Sequence, residues 1–104
     1  MGTAQLSLDF EAADRSRETA RSAIRRLSVS ENGRRFLLAL FDLGNAAPVS
    51  CSIRRVSSAA GMTESAGRAA VIELAYGCPA FLHLKIDPGR ANEYRINWAA
   101  VFAV

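Results

Sequence analysis

The chain contains few of the residues from which enzymes and metal proteins build their sites. It has one histidine, His83, and two cysteines, Cys51 and Cys78, which form no CxxC pair. A structural zinc site needs four such ligands at close spacing, so we expect no metal. No carboxylate pair, nucleophile motif or glycine-rich phosphate loop accompanies the histidine. The sequence therefore predicts no enzymatic activity and no cofactor.

Long apolar stretches are lacking too. No run approaches the roughly 20 residues that cross a bilayer. The N-terminal sequence has no basic segment followed by an apolar one, as a secretory signal has. Hydrophobic residues form 50% of the chain and charged residues 22%, which is typical of a folded domain. We therefore predict a cytoplasmic protein without membrane contact, in which both cysteines are buried or half-buried free thiols.

Lysine is nearly absent, whereas arginine is abundant. Lys85 is the single lysine among thirteen basic residues, and the net charge is +3. Two explanations stay open. A GC-rich genome enriches arginine and alanine in every protein it encodes, and arginine also binds phosphates and base edges better than lysine because its planar fork reaches two acceptors. The charge is compatible with a polyanionic partner but does not require one.

The N-terminal third combines a peptide and a helix. We expect residues 1–9 to be a flexible peptide and residues 10–28 to form a helix, with arginines on its other faces. Its apolar stripe, interrupted by Arg17, consists of Phe10, Ala13, Ala20, Ile24 and Leu27. Because this stripe is longer than one small domain requires, we predict that the helix packs against a second copy in a homodimer or braces the core along its length.

A second helix is predicted from Glu31 to Leu43. Ser30 is a suitable N-cap and Gly44 a suitable stop. Its apolar stripe is the strongest in the chain and should form the core: Phe36, Leu37, Leu40, Phe41 and Leu43.

The next segment carries a helix-turn-helix pattern. Residues 52–60 have helical spacing, Gly61 permits a sharp turn, and Thr63 can cap a helix that runs to about Tyr76. Small residues let the two helices approach closely: Ser57, Ala60, Gly67 and Ala70. The pattern resembles the helix-turn-helix of DNA-binding proteins, although Gly67 stands where that family usually has a branched apolar residue.

A β-hairpin is predicted after this pair. Residues 81–86 alternate, with Leu82, Leu84 and Ile86 inward and His83 and Lys85 outward. Residues 87–92 have turn chemistry, and residues 93–97 alternate again, with Tyr94 and Ile96 inward. Residues 49–51 can supply a short third strand.

This order of elements resembles a winged helix domain. The predicted fold is α+β, mostly α: a winged helix-turn-helix over residues 29–104, with a C-terminal β-hairpin wing and an extra N-terminal helix. The ending Asn92–Trp98 is similar to the close of winged-helix domains in phage and plasmid replication proteins. The resemblance implies a DNA-binding protein that acts in replication or transcription control of a bacterium, phage or plasmid.

The resemblance also implies which residues touch double-stranded DNA. The second helix of the pair would enter the major groove and present Thr63, Glu64, Ser65 and Arg68 to base edges. The implied phosphate contacts are Arg54, Arg55, Lys85, Arg90 and Arg95. The alternative is a protein-interaction module or inhibitor with the same fold that binds no DNA, in which Glu64 merely favours the helix start.

The N-terminus carries a separate short motif. Residues 5–10, with Gln5, Leu6, Leu8 and Phe10, resemble the peptide by which bacterial replication and repair proteins bind the DNA polymerase sliding clamp. The alternative is that Leu6 and Leu8 form a strand edge while Phe10 packs on the first helix.

Overall fold

The computed structural model of the chain describes residues 17–44, 48–86 and 91–103. Within these ranges it is α+β and mostly helical. The helices are α1 (residues 17–25), α2 (Glu31–Gly44), α3 (Ile53–Ala59), α4 (Glu64–Tyr76) and α5 (Trp98–Phe102). The strands are β1 (Val49–Ser50), β2 (Leu82–Lys85) and β3 (Glu93–Ile96). The predictions for residues 1–16 and for most of the hairpin turn lie outside the described residues.

Helix α2 is the centre of the core, as predicted. The Gly33 N–H donates to Ser30 Oγ at 3.0 Å, so Ser30 is its N-cap. Phe36, Leu37, Leu40 and Phe41 are all buried. The prediction for Leu43 is wrong: it is 39% exposed, because it lies at the C-terminal end of α2, one residue before Gly44, where the helix leaves the core.

Helix α1 packs on the same core. Ala20, Ile24 and Leu27 are buried, as their spacing predicts, while Phe10 and Ala13 lie outside the described residues. Two contacts attach this segment to α2: Arg21 forms an ion pair with Asp42 at 2.6 Å, and Arg34 Nη2 donates to the Leu27 carbonyl at 2.9 Å. The described part of α1 therefore braces the core of its own chain.

Helices α3 and α4 form the predicted pair. The Ser52 hydroxyl accepts from the Arg55 N–H at 3.2 Å, and the Thr63 hydroxyl accepts from the Ala66 N–H at 3.1 Å, so both helices have side-chain caps. Gly61 turns the chain between them with φ +72°, a conformation that favours glycine.

Three antiparallel strands make a small sheet in the order β1-β3-β2. The predicted third strand is present, with Val49 opposite Tyr94. Tyr94 is buried and meets Phe36 edge to face, with ring centroids 5.9 Å apart. The prediction that Ile86 faces inward is wrong: it is 65% exposed, because the pairing of β2 with β3 ends one residue earlier, where Lys85 lies opposite Glu93.

Two further features differ from expectation. Helix α5 was not expected. Asn97 caps it by accepting from the Ala100 N–H at 3.4 Å, and Trp98 packs edge to face on Phe41 at 5.6 Å. Cys51 is half-buried, as predicted, but Cys78 is exposed, because it lies in the short connection between α4 and β2, outside the core.

Candidate functional site

The N-terminal half of α4 is open to solvent. Ser65 and Arg68 are exposed and Glu64 is half-buried, while Gly67, Ala70, Val71 and Leu74 are buried. The helix therefore turns its small and apolar residues inward and leaves the predicted base-contacting residues outward. The Thr63 oxygen is engaged in capping, as described above, but its hydroxyl hydrogen remains able to donate.

Glu64 brings two predicted DNA-contacting arginines together. Its Oε1 lies 3.0 Å from Arg68 Nη2, one turn further along α4, and its Oε2 lies 3.7 Å from Arg54 Nε on α3. The side chains of Arg54 and Arg68 are 84% and 66% exposed. Ion pairs this exposed contribute only about 0–1 kcal/mol. An approaching phosphate can therefore replace the carboxylate as the partner of either arginine at small cost.

Arg55, which is also on α3, is the third cation near Arg54 and Arg68. Its side chain is exposed, and among the described residues no carboxylate lies within ion-pair distance of it. Its charge also reaches the neighbouring Cys51 thiol: burial raises the pKa of Cys51, and the Arg55 charge opposes that rise. The group formed by Arg54, Arg55 and Arg68 therefore has a single close counter-charge, Glu64, in the part of the chain that the structure describes.

The hairpin presents its own polar face. His83 lies opposite Arg95, and Lys85 lies opposite Glu93, so these four side chains share the outer face of β2 and β3. His83 is exposed, as predicted, and Arg95 is 3.9 Å from Glu93. The structure thus brings Lys85 and Arg95 together, whereas Arg90 lies outside the described residues.

The C-terminal half of α4 has a different surface, which sequence reasoning missed. Ile72 and Tyr76 are 61% and 74% exposed and lie one turn apart on the same side of the helix. The signal was available in the helical spacing, because Ile72 falls between the buried positions Val71 and Leu74, and Tyr76 lies one turn beyond Ile72. Glu73, next to Ile72, accepts from the Ser30 N–H at 2.8 Å and the Ser30 hydroxyl at 2.5 Å, which ties α4 to the start of α2.

Other classes of site are sparse in the described part of the chain. It contains no group of three or more histidine, cysteine, aspartate or glutamate side chains that fits a metal ion. None of its helices is long and apolar enough to cross a membrane. The clamp-like residues Gln5, Leu6, Leu8 and Phe10 lie outside the described residues.

Comparisons with known proteins add no relative. No protein-family model matches the chain, and neither a curated protein nor a solved structure matches it.

Proposed function

We propose that this chain is a winged helix-turn-helix protein that binds double-stranded DNA in the control of replication or transcription. In this proposal α3 and α4 are the helix-turn-helix and β2 and β3 are the wing. The order of the elements, the turn at Gly61 and the pairing of β1 with β3 all fit such a domain.

The observation that carries the proposal is the exposed start of α4 with its arginines. Arg68 is on α4 itself, and Arg54 joins it through Glu64. An α-helix fits the major groove, where a guanidinium binds guanine through two acceptors and a carboxylate accepts from cytosine. We assign Arg68, Ser65 and Glu64 to base contacts, with Thr63 at the entry of the helix.

Phosphate binding is assigned to the surrounding cations. Arg54 and Arg55 lie on the helix before α4, and Lys85 and Arg95 lie on the hairpin that follows it. Each phosphate contact releases counterions, so the affinity for a duplex should fall with salt with a log–log slope near −0.9 per contact.

A salt series of duplex binding tests this proposal. Fluorescence anisotropy with the full chain should show affinity that falls steeply with salt, and Arg55→Gln should reduce the slope by about one. The control is Arg35→Gln, which removes an exposed arginine from α2 and should leave the slope nearly unchanged. The neighbouring Arg34 does not serve as a control, because its side chain donates a hydrogen bond to the backbone of Leu27. Duplex binding that is absent at low salt would overturn the proposal.

A second candidate function is a protein-interaction module without DNA binding. The exposed pair Ile72 and Tyr76 favours it, because solvated apolar side chains grouped on one helix face are common in protein interfaces. Duplex binding by the wild-type chain separates the two functions, because the interaction module binds no DNA, and the double variant Ile72→Ser/Tyr76→Ser tests whether this apolar pair takes part in DNA binding. It should leave duplex binding unchanged if DNA is the partner, since neither residue is assigned to DNA.

Binding of the sliding clamp is a proposal of its own. It rests on the motif of Gln5, Leu6, Leu8 and Phe10 in the sequence. A pull-down of purified clamp by the full chain should be lost in Gln5→Ala/Phe10→Ala and kept in Ser7→Ala, which alters the same segment at a position without a motif residue. Capture that survives the double change would contradict this proposal.

A further inference from the structure

The surface of α1 is the most basic part of the chain. Over residues 17–26 four arginines stand against a single acid, Glu18. Arg21 is bound to Asp42, whereas Arg17, Arg25 and Arg26 are exposed. Arg25 and Arg26, which is one residue past the end of α1, line one hollow together with Glu18, and Arg17 lies about two turns before Arg25. We call these three exposed arginines the α1 basic surface.

These arginines lack the counter-charges that others have. Of the cations that the structure describes, six form ion pairs with described carboxylates. The cations without such a pair in the same ranges are Arg17, Arg25, Arg26, Arg55 and Lys85, so three of these five belong to the α1 basic surface. Arg21, whose charge Asp42 compensates, lies between Arg17 and Arg25 at a spacing of four, so the two unpaired arginines of α1 are about two turns apart.

The α1 basic surface does not adjoin α4. On α2, Asp42 binds Arg21 of α1, while Gly33 lies against Glu73 of α4. Gly33 and Asp42 are nine residues apart, which is about two and a half helical turns, so they lie on opposite sides of α2. Helices α1 and α4 therefore contact α2 on different sides.

The chemistry of this surface fits a nucleic-acid backbone better than a membrane or an acidic protein. The apolar side of α1 (Ala20, Ala23 and Ile24) is buried in the core, so the helix has no apolar face left to enter a lipid interface. The large exposed hydrophobic residue beside this surface in the described chain is Phe102 of α5, which lines a hollow with Arg26, and it stands without the clustered apolar anchors of a protein interface. Guanidinium groups bind phosphate oxygens in pairs without such anchors.

We propose that the α1 basic surface is a second site for nucleic-acid phosphates, so that one chain holds two duplex segments at once. The first segment lies on α4, and this bridging rests on the function proposed for α4. The α1 site itself does not.

A two-duplex capture assay with the full chain tests the proposal. One duplex is fixed to beads, a second is fluorescent and free, and binding to a single duplex is measured in parallel by anisotropy. The α1 variant is Arg17→Gln/Arg25→Gln/Arg26→Gln, and the matched variant with equal loss of charge is Arg54→Gln/Arg55→Gln/Arg68→Gln. Arg26 Nε donates to the Ser22 carbonyl at 3.3 Å, so Arg17→Gln/Arg25→Gln is a second α1 variant that leaves this bond intact.

The wild-type chain should capture the second duplex. Both α1 variants should lose capture but still bind one duplex, and the matched variant should also bind one duplex without capture. Capture that persists in both α1 variants would overturn the proposal. Loss of all duplex binding in the matched variant would overturn it too, while leaving the role of α4 intact. Loss of all binding in the α1 variants alone would instead overturn the role of α4 and the bridging, and leave α1 as the duplex-binding surface.

Discussion

Gly67 of α4 lies so close to Ser57 of α3 that a Cβ atom on residue 67 would overlap the Ser57 hydroxyl oxygen. Both residues are buried, and Phe36 of α2 lies on the same side, 3.7 Å from the position of that Cβ. The crossing of α3 and α4 therefore depends on a residue without a side chain at position 67.

Gly67→Ala should therefore destabilise the protein. In an exposed helix this change stabilises by about 1 kcal/mol, but overpacking at this contact should cost about 1–3 kcal/mol and reverse the sign. Ser57→Ala should be close to neutral, since the Ser57 hydroxyl is buried without a hydrogen-bond partner among the described residues. Urea unfolding of both variants and the double variant measures this, and the double variant should recover part of the loss. A stabilised Gly67→Ala would refute the close crossing.

The core of α2 offers a second test with an internal control. Leu40 is buried at the centre of the helix, whereas Leu43 in the same helix is partly exposed. Leu40→Ala should lower the free energy of unfolding by about 2–5 kcal/mol, and Leu43→Ala by less than about 1 kcal/mol. Equal losses in the two variants would mean that α2 is rotated about its axis.

The charge of Glu64 should limit the affinity for DNA. Glu64→Gln frees Arg54 and Arg68 and removes a negative charge from the start of α4. We expect the affinity for a duplex of arbitrary sequence to rise by up to about fivefold, since an exposed pair is worth about 0.2–1 kcal/mol, and the preference for the base that Glu64 contacts to fall. Glu31→Gln is the matched control, because Glu31 holds Arg35 at the same spacing on α2. Weaker binding of Glu64→Gln to the duplex of arbitrary sequence would count against this role.

Tyr94 should make stability depend on alkaline pH. Its pKa is raised, chiefly by burial; nearby Asn92 opposes the rise and Cys51 adds to it. The contact with Asn92 is not a hydrogen bond of standard geometry, so the buried hydroxyl is close to unsatisfied. The folded state thus retains the phenol proton more tightly than the unfolded state. The resulting stabilisation is complete below pH about 10 and is lost as pH rises through the folded pKa.

Tyr94→Phe isolates that effect. At neutral pH the variant should unfold with nearly the wild-type free energy, within about 1 kcal/mol. Between pH about 9 and 11, the range in which phenols ionise, its free energy of unfolding should fall less than that of the wild type. Tyr76→Phe is the control, because Tyr76 is exposed. Parallel pH curves for wild type and Tyr94→Phe would show that ionisation of Tyr94 is not coupled to folding.

Much of the chain was predictable because its signals are local. A capping residue acts within three positions, as Ser30 and Thr63 do, and Gly61 sets its own turn. The alternation of β3 places Tyr94 inward without any knowledge of its neighbours. These signals sufficed for α2, the α3–α4 pair, the hairpin and the short strand β1.

The remaining features depend on contacts between distant parts of the chain. Ile86 continues the alternation of β2 but is exposed, since the pairing stops where β3 begins. The bond between Ser30 and Glu73 joins positions 43 residues apart, and no local pattern indicates it. Likewise, the ion pair of Arg54 with Glu64 needs the turn at Gly61 to bring α3 beside α4. The contact of Arg54 with Glu64 at the start of α4 therefore became visible only in three dimensions.

The most direct measurement of DNA recognition compares two arginines that form similar ion pairs at different places in the fold. Arg68 pairs with Glu64 at 3.0 Å and Arg35 with Glu31 at 3.3 Å, both at a spacing of four on an exposed helix face. Binding to a preferred duplex, selected from a random pool, is measured by anisotropy for Arg68→Ala and Arg35→Ala. The account predicts a loss of about 1–3 kcal/mol, with relaxed sequence preference, for Arg68→Ala and little change for Arg35→Ala. Equal effects of the two substitutions, or none from either, would contradict it.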